Sequence, residues 1–182
     1  FDRDRGGRLR TAGRHQHEDA KVAVFSSSSY RYYESLTALK KEDIGELKGA
    51  ISYGPASYEE HHPDLFWYGV HPTEALFTVM GAGCETVTRV ATKDTDVVVG
   101  VWKDGRVATL RGLRNAATPH KVILFGTKGV AEQKGGGDYA PLLREVMAFF
   151  KTGKSPVAAR ETIELFGFME AADESKREGG KP

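Results

Sequence analysis

His71 is the residue whose surroundings are best suited to chemistry, in the stretch HHPDLFWYGVHPTEALFTVMGAGC at positions 61–84. Trp67 and Tyr68 stand one helical turn before it, and Glu74 stands one turn after it. Because positions three and four apart share a helix face, Glu74 could hold one ring nitrogen while the other faces a ligand. A histidine held in this way can move a proton on or off a hydroxyl or carbonyl group. The alternative is a structural histidine bonded to a backbone carbonyl in an aromatic core.

Other features of the sequence could take part in binding. Gly69 would let a flat ligand approach the backbone near the imidazole. The serine run at positions 26–29 could cap a helix, contact a ligand or form a solvated turn. Arg31 stands just after this run, where a strand leads into a loop and where α/β folds often present ligands. Arg111 and Arg114 could bind a carboxylate or phosphate, although exposed arginines are usually only solvated.

Neither a metal site nor a disulfide is predicted. His61 and His62 are adjacent, so they would point to different faces of a helix, and no further ligands stand at a useful spacing for zinc. The single cysteine, Cys84, excludes an intrachain disulfide and allows a reducing compartment. We interpret Cys84 as a small buried hydrophobic residue rather than a reactive thiol.

Composition and charge exclude several classes of function. The 182 residues are 40% hydrophobic and 10% aromatic, which suits a protein with a buried core. Lys and Arg number 26 against 25 Asp and Glu, a net charge of +1, so neither nucleic acid nor a membrane surface is an expected partner. No apolar run approaches the roughly 20 residues that span a bilayer. The sequence starts at Phe1 rather than Met, so we interpret it as a fragment. It has no apolar signal region, so we expect a cytoplasmic protein; the alternative is an export signal upstream of Phe1.

Two strands and a helix are predicted before residue 60. Segment 22–25 is apolar and rich in β-branched residues, which predicts a buried strand ending at the serine run. Segment 32–45 has its apolar residues at helical spacing and predicts a helix that ends near Gly45. Segment 46–54, ELKGAISYG, predicts a second strand.

The histidine itself is predicted to lie on a long helix. Pro63 and Asp64 suit the first turn of a helix, and the helical pattern continues to Gly81, where a glycine can end it. Pro72 lies inside this span. Since proline removes a backbone donor and clashes with the carbonyl four residues earlier, a kink near Tyr68 is expected.

A run of strands follows the histidine helix. Segments 84–92, 95–102 and 106–113 are rich in β-branched residues, and KDGR at 103–106 contains a hairpin signal. Segment 120–133 predicts one or two more strands.

Two amphipathic helices close the chain after a glycine-rich segment. They occupy 139–153 and 159–178. The predicted apolar stripes consist of Leu142, Val146, Phe149 and Phe150 in the first helix and of Ile163, Phe166 and Met169 in the second. The order of elements predicts an α+β fold with a mostly antiparallel sheet. The sequence contains no repeat and no P-loop, GxGxxG, CxxC or HExxH motif.

Several of these segments, taken in order, resemble the Gfo/Idh/MocA oxidoreductases over residues 20–182. KVAVFSSSSYRYYESL is similar to the last strand of that family's nicotinamide-binding Rossmann domain, with Arg31 and Tyr32 at an arginine–aromatic pair. IGELKGA resembles the entry into the second domain, and YGVHPTEALFTVMG resembles a D-x-G-x-H-x-x-D helix with Gly69, His71 and Glu74 in register. FGTKG and the last helices also match, and the HPDLFWYG-H signature is closest to bacterial members.

The resemblance implies a domain organisation. Residues 1–19 hold five arginines and few apolar residues, which predicts a ragged or disordered start. Residues 20–45 would be a remnant of the dinucleotide-binding domain, and residues 46–182 a C-terminal α+β domain. That domain would have an open, mainly antiparallel sheet with helices on one face. The other face would join subunits into a homodimer or homotetramer.

The resemblance also implies hydride transfer between NAD or NADP and a carbon of a sugar or polyol. His71 would be the catalytic residue, assisting proton transfer. The implied substrate-binding residues are Arg31, Trp67, Tyr68 and Glu74, and the implied cofactor-binding residues are Ser27, Ser28 and Gly69.

Two departures from the family pattern leave alternatives open. The glycine-rich dinucleotide loop and the family's EKP lysine are absent, so the fragment alone is expected to be inactive. Trp67 stands where the family has an aspartate, four residues before the histidine. One alternative is a non-catalytic binding or assembly module of the same fold. Another is glycoside cleavage or epimerisation through transient oxidation of a sugar carbon.

Overall fold

The computed structural model describes residues 22–182 and the backbone of two short antiparallel strands, β1 (Asp2–Arg3) and β2 (Leu9–Arg10). Most of the segment 1–19, for which the sequence predicts a disordered start, lies outside the described residues.

A six-stranded sheet forms the body of the structure. Its strands are β3 (Leu47–Pro55), β4 (Cys84–Ala91), β5 (Thr95–Trp102), β6 (Val107–Leu113), β7 (Lys121–Gly126) and β8 (Val130–Glu132). Their spatial order is β4-β5-β6-β3-β7-β8, and only the β3–β6 pair is parallel. The predicted α+β class and the open, mainly antiparallel sheet are confirmed, as is the hairpin at Gly105, whose φ of +82° suits glycine.

The helices are α1 (Glu34–Leu39), α2 (Val70–Met80), α3 (Ala140–Thr152) and α4 (Ala159–Arg177). Two single 3₁₀ turns, Ser29–Tyr32 and Asp64–Phe66, precede α1 and α2.

The core lies between one face of the sheet and helices α2 and α4. Alternate residues of each strand face this layer, because side chains of a strand point to opposite faces in turn. Phe77 of α2 lies at its centre, with ring centroids 5.8 Å from Trp102 of β5 and 5.6 Å from Phe168 of α4. These contacts fix how α2, and therefore His71, sits on the sheet.

The opposite face of the sheet carries apolar side chains that no helix of the described part covers. Val101 of β5, Val107 of β6, Phe125 of β7 and Val130 of β8 lie in one row across this face, with Gly49 of β3 between Val107 and Phe125. Val101, Val107 and Val130 are exposed and Phe125 is partly exposed. We call this surface the open face.

The predicted buried strand at 22–25 is wrong. Residues 22–28 have no regular secondary structure, and Val22 and Val24 are exposed. A strand needs a neighbouring strand to take its backbone hydrogen bonds, and no described strand lies beside this segment.

The predicted long helix at 63–81 is two elements instead of one. The 3₁₀ turn ends at Phe66, the backbone breaks at Trp67 (ψ −86°), and α2 begins at Val70. Pro72 therefore lies in the first turn, where the N–H groups have no intrahelical partner, and the kink predicted near Tyr68 takes the form of a break between two elements at residues 67–69. The predicted stop at Gly81 is confirmed, with φ +71° and its N–H donated to the carbonyl of Phe77 at 2.8 Å.

The apolar stripes of the other helices differ from those predicted. α1 ends at Leu39 rather than near Gly45. α3 has no buried residue, and Phe150 is 75% exposed. On α4 the buried apolar residues are Leu165, Phe168, Met169 and Ala172, whereas Phe166 is exposed. Several faces of α4 carry apolar residues, so the spacing alone did not identify the packed one.

A buried charge cluster joins α4 to the sheet. The guanidinium of Arg89 is fully buried and donates to Asp96, Asp173 and Asp64. Arg114 also pairs with Asp96, rather than being merely solvated. Three carboxylates thus offset the buried charge of Arg89, which would otherwise be costly.

No helix in the described part of the chain is long and apolar enough to cross a membrane.

Candidate functional site

The site is built where the start of α2 meets the segment before α1 and the end of the loop before β7. Ser52 in the middle of β3 donates its hydroxyl to the carbonyl of Pro72 at 2.7 Å, which ties the first turn of α2 to the sheet. The Thr73 hydroxyl bonds the carbonyl of Gly69 at 2.8 Å. The first turn of α2 is therefore anchored on a rigid element, which suits a site that needs fixed geometry.

His71 lies in this first turn and is partly buried. Its Nδ1 is 2.9 Å from Oγ of Ser28, which also accepts the N–H of Tyr30 at 3.2 Å. One ring nitrogen is thus held by the protein. Burial lowers the pKa of His71 below its ordinary 6.5, so the ring is neutral at pH 7. A neutral imidazole with one nitrogen held is suited to accept a proton at the other.

The helical spacing predicted that Glu74 holds a ring nitrogen of His71, but Glu74 bonds other residues instead. It is 5% exposed, and its carboxylate accepts hydrogen bonds from Nε of Arg31 at 2.5 Å and from the hydroxyl of Ser27 at 3.2 Å. Arg31 also pairs with Glu161 at the start of α4. The structure therefore brings the predicted residues Arg31, Glu74, Ser27 and Ser28 together as one network. Direct substrate binding by Arg31 or Glu74 stays a prediction.

Trp67 and Tyr68 lie at the break before α2, with 44% and 40% of their surface exposed. The Tyr68 ring meets the His71 ring edge-on, with centroids 5.1 Å apart. The Trp67 ring instead lies 4.8 Å from that of His62, whose Nδ1 bonds Glu59. Tyr68 is therefore the predicted aromatic residue that contacts the histidine directly.

The residues predicted to contact the cofactor make hydrogen bonds and packing contacts within the chain. The hydroxyls of Ser27 and Ser28 bond Glu74 and His71. A Cβ at Gly69 would lie 2.8 Å from the carbonyl oxygen of Leu65, so glycine here allows close packing of the chain. Cofactor binding by Ser27, Ser28 and Gly69 stays a prediction.

His120 is a second histidine of the site that sequence reasoning missed. It directly precedes β7, and its ring lies against those of His71 (centroids 5.9 Å) and Tyr30 (5.0 Å). Burial, followed by the neighbouring His71, lowers the pKa of His120 to about 4. The sequence signal was a histidine at the start of a segment predicted to form strands, and that position does not reveal its neighbour on α2.

Other candidate groups lie apart from this site. Within residues 22–182 no cluster of three or more His, Cys, Asp or Glu side chains could hold a metal ion. Cys84 is partly buried, and burial raises the pKa of its thiol to about 11. The thiol is therefore protonated at pH 7 and weakly nucleophilic, in line with its interpretation as a packing residue.

Known proteins resemble this chain in fold, but sequence comparison finds no match. No protein-family model and no curated protein matches the chain. Among solved structures, it is similar to a protein of Sinorhizobium meliloti 1021 assigned as a myo-inositol dehydrogenase (TM-score 0.77, 15% identity, 92% of this chain and 67% of that one). An oxidoreductase of Agrobacterium radiobacter, solved with NAD⁺, L-tartaric acid and magnesium, matches with a TM-score of 0.73 and 13% identity, again over 92% and 67%.

The scyllo-inositol dehydrogenase of Lactobacillus casei, solved with NAD(H) and scyllo-inositol, matches with a TM-score of 0.61 and 14% identity, over 84% of this chain and 60% of that one. This chain thus spans about two thirds or less of each of these structures. The shared fold is that of the C-terminal domain of such dehydrogenases.

Proposed function

We propose that this chain is the substrate-binding and oligomerisation domain of an NAD(P)-dependent oxidoreductase that oxidises a carbinol carbon of a sugar or polyol. The observation that carries the proposal is His71, a neutral, partly buried imidazole held at one nitrogen by Ser28 in the anchored first turn of α2. A fold shared with sugar and polyol dehydrogenases supports it.

In this proposal His71 accepts the proton of the carbinol hydroxyl. The hydroxyl oxygen loses this proton and the carbinol carbon loses a hydride, which together leave a carbonyl group. The nicotinamide of NAD or NADP supplies the hydride acceptor and belongs to a dinucleotide-binding domain outside these 182 residues. Tyr68 and Trp67 contact the substrate beside His71. The network of Arg31, Glu74 and Ser27 holds the segment before α1 against α2, so that Ser28 stays on the imidazole.

A second candidate is a non-catalytic binding or assembly module. Two observations favour it. Trp67 replaces the family's aspartate and lies against His62 rather than His71, and the open face offers an apolar surface for another copy. NAD(P)-linked oxidation that depends on His71 distinguishes the two candidates, because a binding module would hold a polyol without oxidising it and an assembly module needs no such ligand.

The first test is ligand binding by the chain itself. Trp67 is exposed and stands four residues before His71 in the chain, whereas Trp102 is 2% exposed, so intrinsic fluorescence should report a ligand that contacts Trp67. The chain would be titrated with scyllo-inositol, myo-inositol and D-glucose, and Trp67→Phe would assign the signal. His71→Ala should weaken binding by about tenfold or more, which corresponds to about 1.4 kcal/mol. His61→Ala, at an exposed histidine, is the matched control.

The enzymatic reading also requires turnover. In the longer protein that carries the dinucleotide-binding domain, His71→Ala should lower kcat by about 100-fold or more while circular dichroism stays unchanged. Absence of both ligand binding and NAD(P)-linked oxidation in the folded wild-type protein would contradict the proposal and leave the assembly module.

A further inference from the structure

The His71 site contains a second imidazole, that of His120, which has no role in the proposed reaction. The rings of His71 and His120 lie edge to face at 80°, with centroids 5.9 Å apart. They come from different elements, the first turn of α2 and the residue before β7. Only the tertiary fold brings them together.

The fold makes specific room for the His120 ring. β3 and β7 pair with Tyr53 opposite Lys121, which puts Gly54 beside His120. A Cβ at Gly54 would lie 2.2 Å from Nδ1 of His120, closer than any side chain could tolerate. Glycine in the middle of a strand weakens it, so its use under this ring marks a close approach. Tyr30, 2% exposed, packs against the ring from another side.

The hydrogen bonding of His120 is incomplete. Its Nδ1 is enclosed and has no hydrogen-bond partner among the described residues, while the ring as a whole is only partly buried. A buried polar atom left without a partner costs stability, because it gives up its bond to water and gains none from the protein. Packing against Tyr30 alone would be served as well by a phenyl ring. Such a cost therefore points to a use for Nε2, the other nitrogen of the ring.

We propose that His120 is a substrate-binding residue, and that the His71–His120 pair binds two neighbouring hydroxyl groups of one sugar or polyol. This inference rests on the proposed function of His71. Two neutral imidazoles each offer one donor or acceptor nitrogen, and a hydroxyl group can serve either. His71 takes the hydroxyl that is oxidised, and His120 bonds the hydroxyl on the adjacent carbon at about 2.9 Å. The substrate class is therefore a vicinal diol rather than an isolated alcohol.

The test follows the histidine Hε1 resonances of the chain by NMR during titration with scyllo-inositol, in which every hydroxyl has another hydroxyl on the adjacent carbon. Both His71 and His120 signals should shift with one Kd. His120→Phe keeps a ring against Tyr30 and should weaken that Kd by about tenfold or more. His61→Phe, at an exposed position, should leave it unchanged. Thermal unfolding of each variant checks that the fold is intact.

Hydroxyl spacing is tested by competition. In the wild-type chain trans-1,2-cyclohexanediol should displace scyllo-inositol at a lower concentration than the trans-1,4 isomer, and His120→Phe should remove the difference. A shift of His71 without His120, unchanged binding by His120→Phe, or equal competition by the two isomers would overturn the inference while leaving the proposed function standing. If scyllo-inositol moves neither histidine, both fail for this substrate class.

Discussion

At the scale of single residues, burial controls the chemistry of the two site histidines. An imidazole in a partly buried position loses hydration when it becomes charged, so its pKa falls. His71 and His120 both follow this rule, and His120 reaches a pKa of about 4. His71 is therefore present as a base at neutral pH, which suits removal of a proton rather than its donation.

The lowered pKa of His120 predicts a pH-dependent stability. The unfolded chain binds a proton at this residue below pH 6.5, whereas the folded chain does so only near pH 4. The free energy of unfolding should therefore decrease as the pH falls from 6.5 to 4. Urea unfolding at pH 7 and pH 5 measures it. The decrease should be about 1 kcal/mol larger in the wild type than in His120→Phe, a value discounted for the partial exposure of the ring.

His61→Phe serves as the control in the same measurement, because that histidine is exposed. Other groups titrate in this range, but their effects cancel between wild type and variant. An equal pH dependence in wild type and His120→Phe would mean that the folded pKa of His120 is not lowered.

At the scale of elements, the helices differ in how much of the core they carry. α4 packs Phe168 and Met169 between the sheet and α2, while α3 has no buried residue. Hydrophobic stabilisation follows the apolar area removed from water, so α4 should contribute much of it and α3 little. The apolar residues exposed on α3 include Leu143, Met147 and Phe150.

This difference predicts opposite outcomes for two Phe→Ala changes. Phe168→Ala should lower the free energy of unfolding by about 3–5 kcal/mol, because it leaves a cavity at the centre of the core. Phe150→Ala, at a residue 75% exposed, should change it by less than about 0.5 kcal/mol. Urea unfolding of the 182-residue chain compares both. Similar losses would indicate that α3 packs against another surface in solution.

At the scale of the whole molecule, the sheet is covered on one face and open on the other. The open face carries Val101, Val107, Phe125 and Val130 in one row that is interrupted by Gly49, a surface that a monomer would leave in contact with water. Symmetric packing of two such faces would bury it, which is why a homodimer or homotetramer is the expected assembly.

Val107→Lys tests this assembly. A charge in the middle of the open face should shift the protein towards monomer, since an unpaired charge is costly to bury at an interface. Sedimentation velocity at several protein concentrations measures the change. Val22→Lys adds the same charge at an exposed residue outside the sheet and should leave the assembly as in the wild type. A wild-type chain that sediments as a monomer at all concentrations would contradict the prediction.

The sequence by itself determined the class of fold and most of its elements. Strands β3 to β6 were predicted, as were one or two strands in the segment that forms β7 and β8, because alternating or β-branched apolar runs indicate which side of a sheet each residue faces. Gly81 and Gly105 were readable because a positive φ favours glycine whatever lies around it. His71 was identified as a candidate in the same way, from residues within one or two turns along the chain.

Only the tertiary structure decided which side chains contact each other. Glu74 stands one turn from His71 but pairs with Arg31, and the partner of His71 is Ser28, from a distant segment. His120 reaches the site only because β7 pairs with β3. Segment 22–25 has a strand's composition but pairs with no strand among the described residues. Local sequence patterns indicate the conformation and burial of each residue. The contacts between distant residues depend on how helices and strands pack, and a short stretch of sequence does not contain that information.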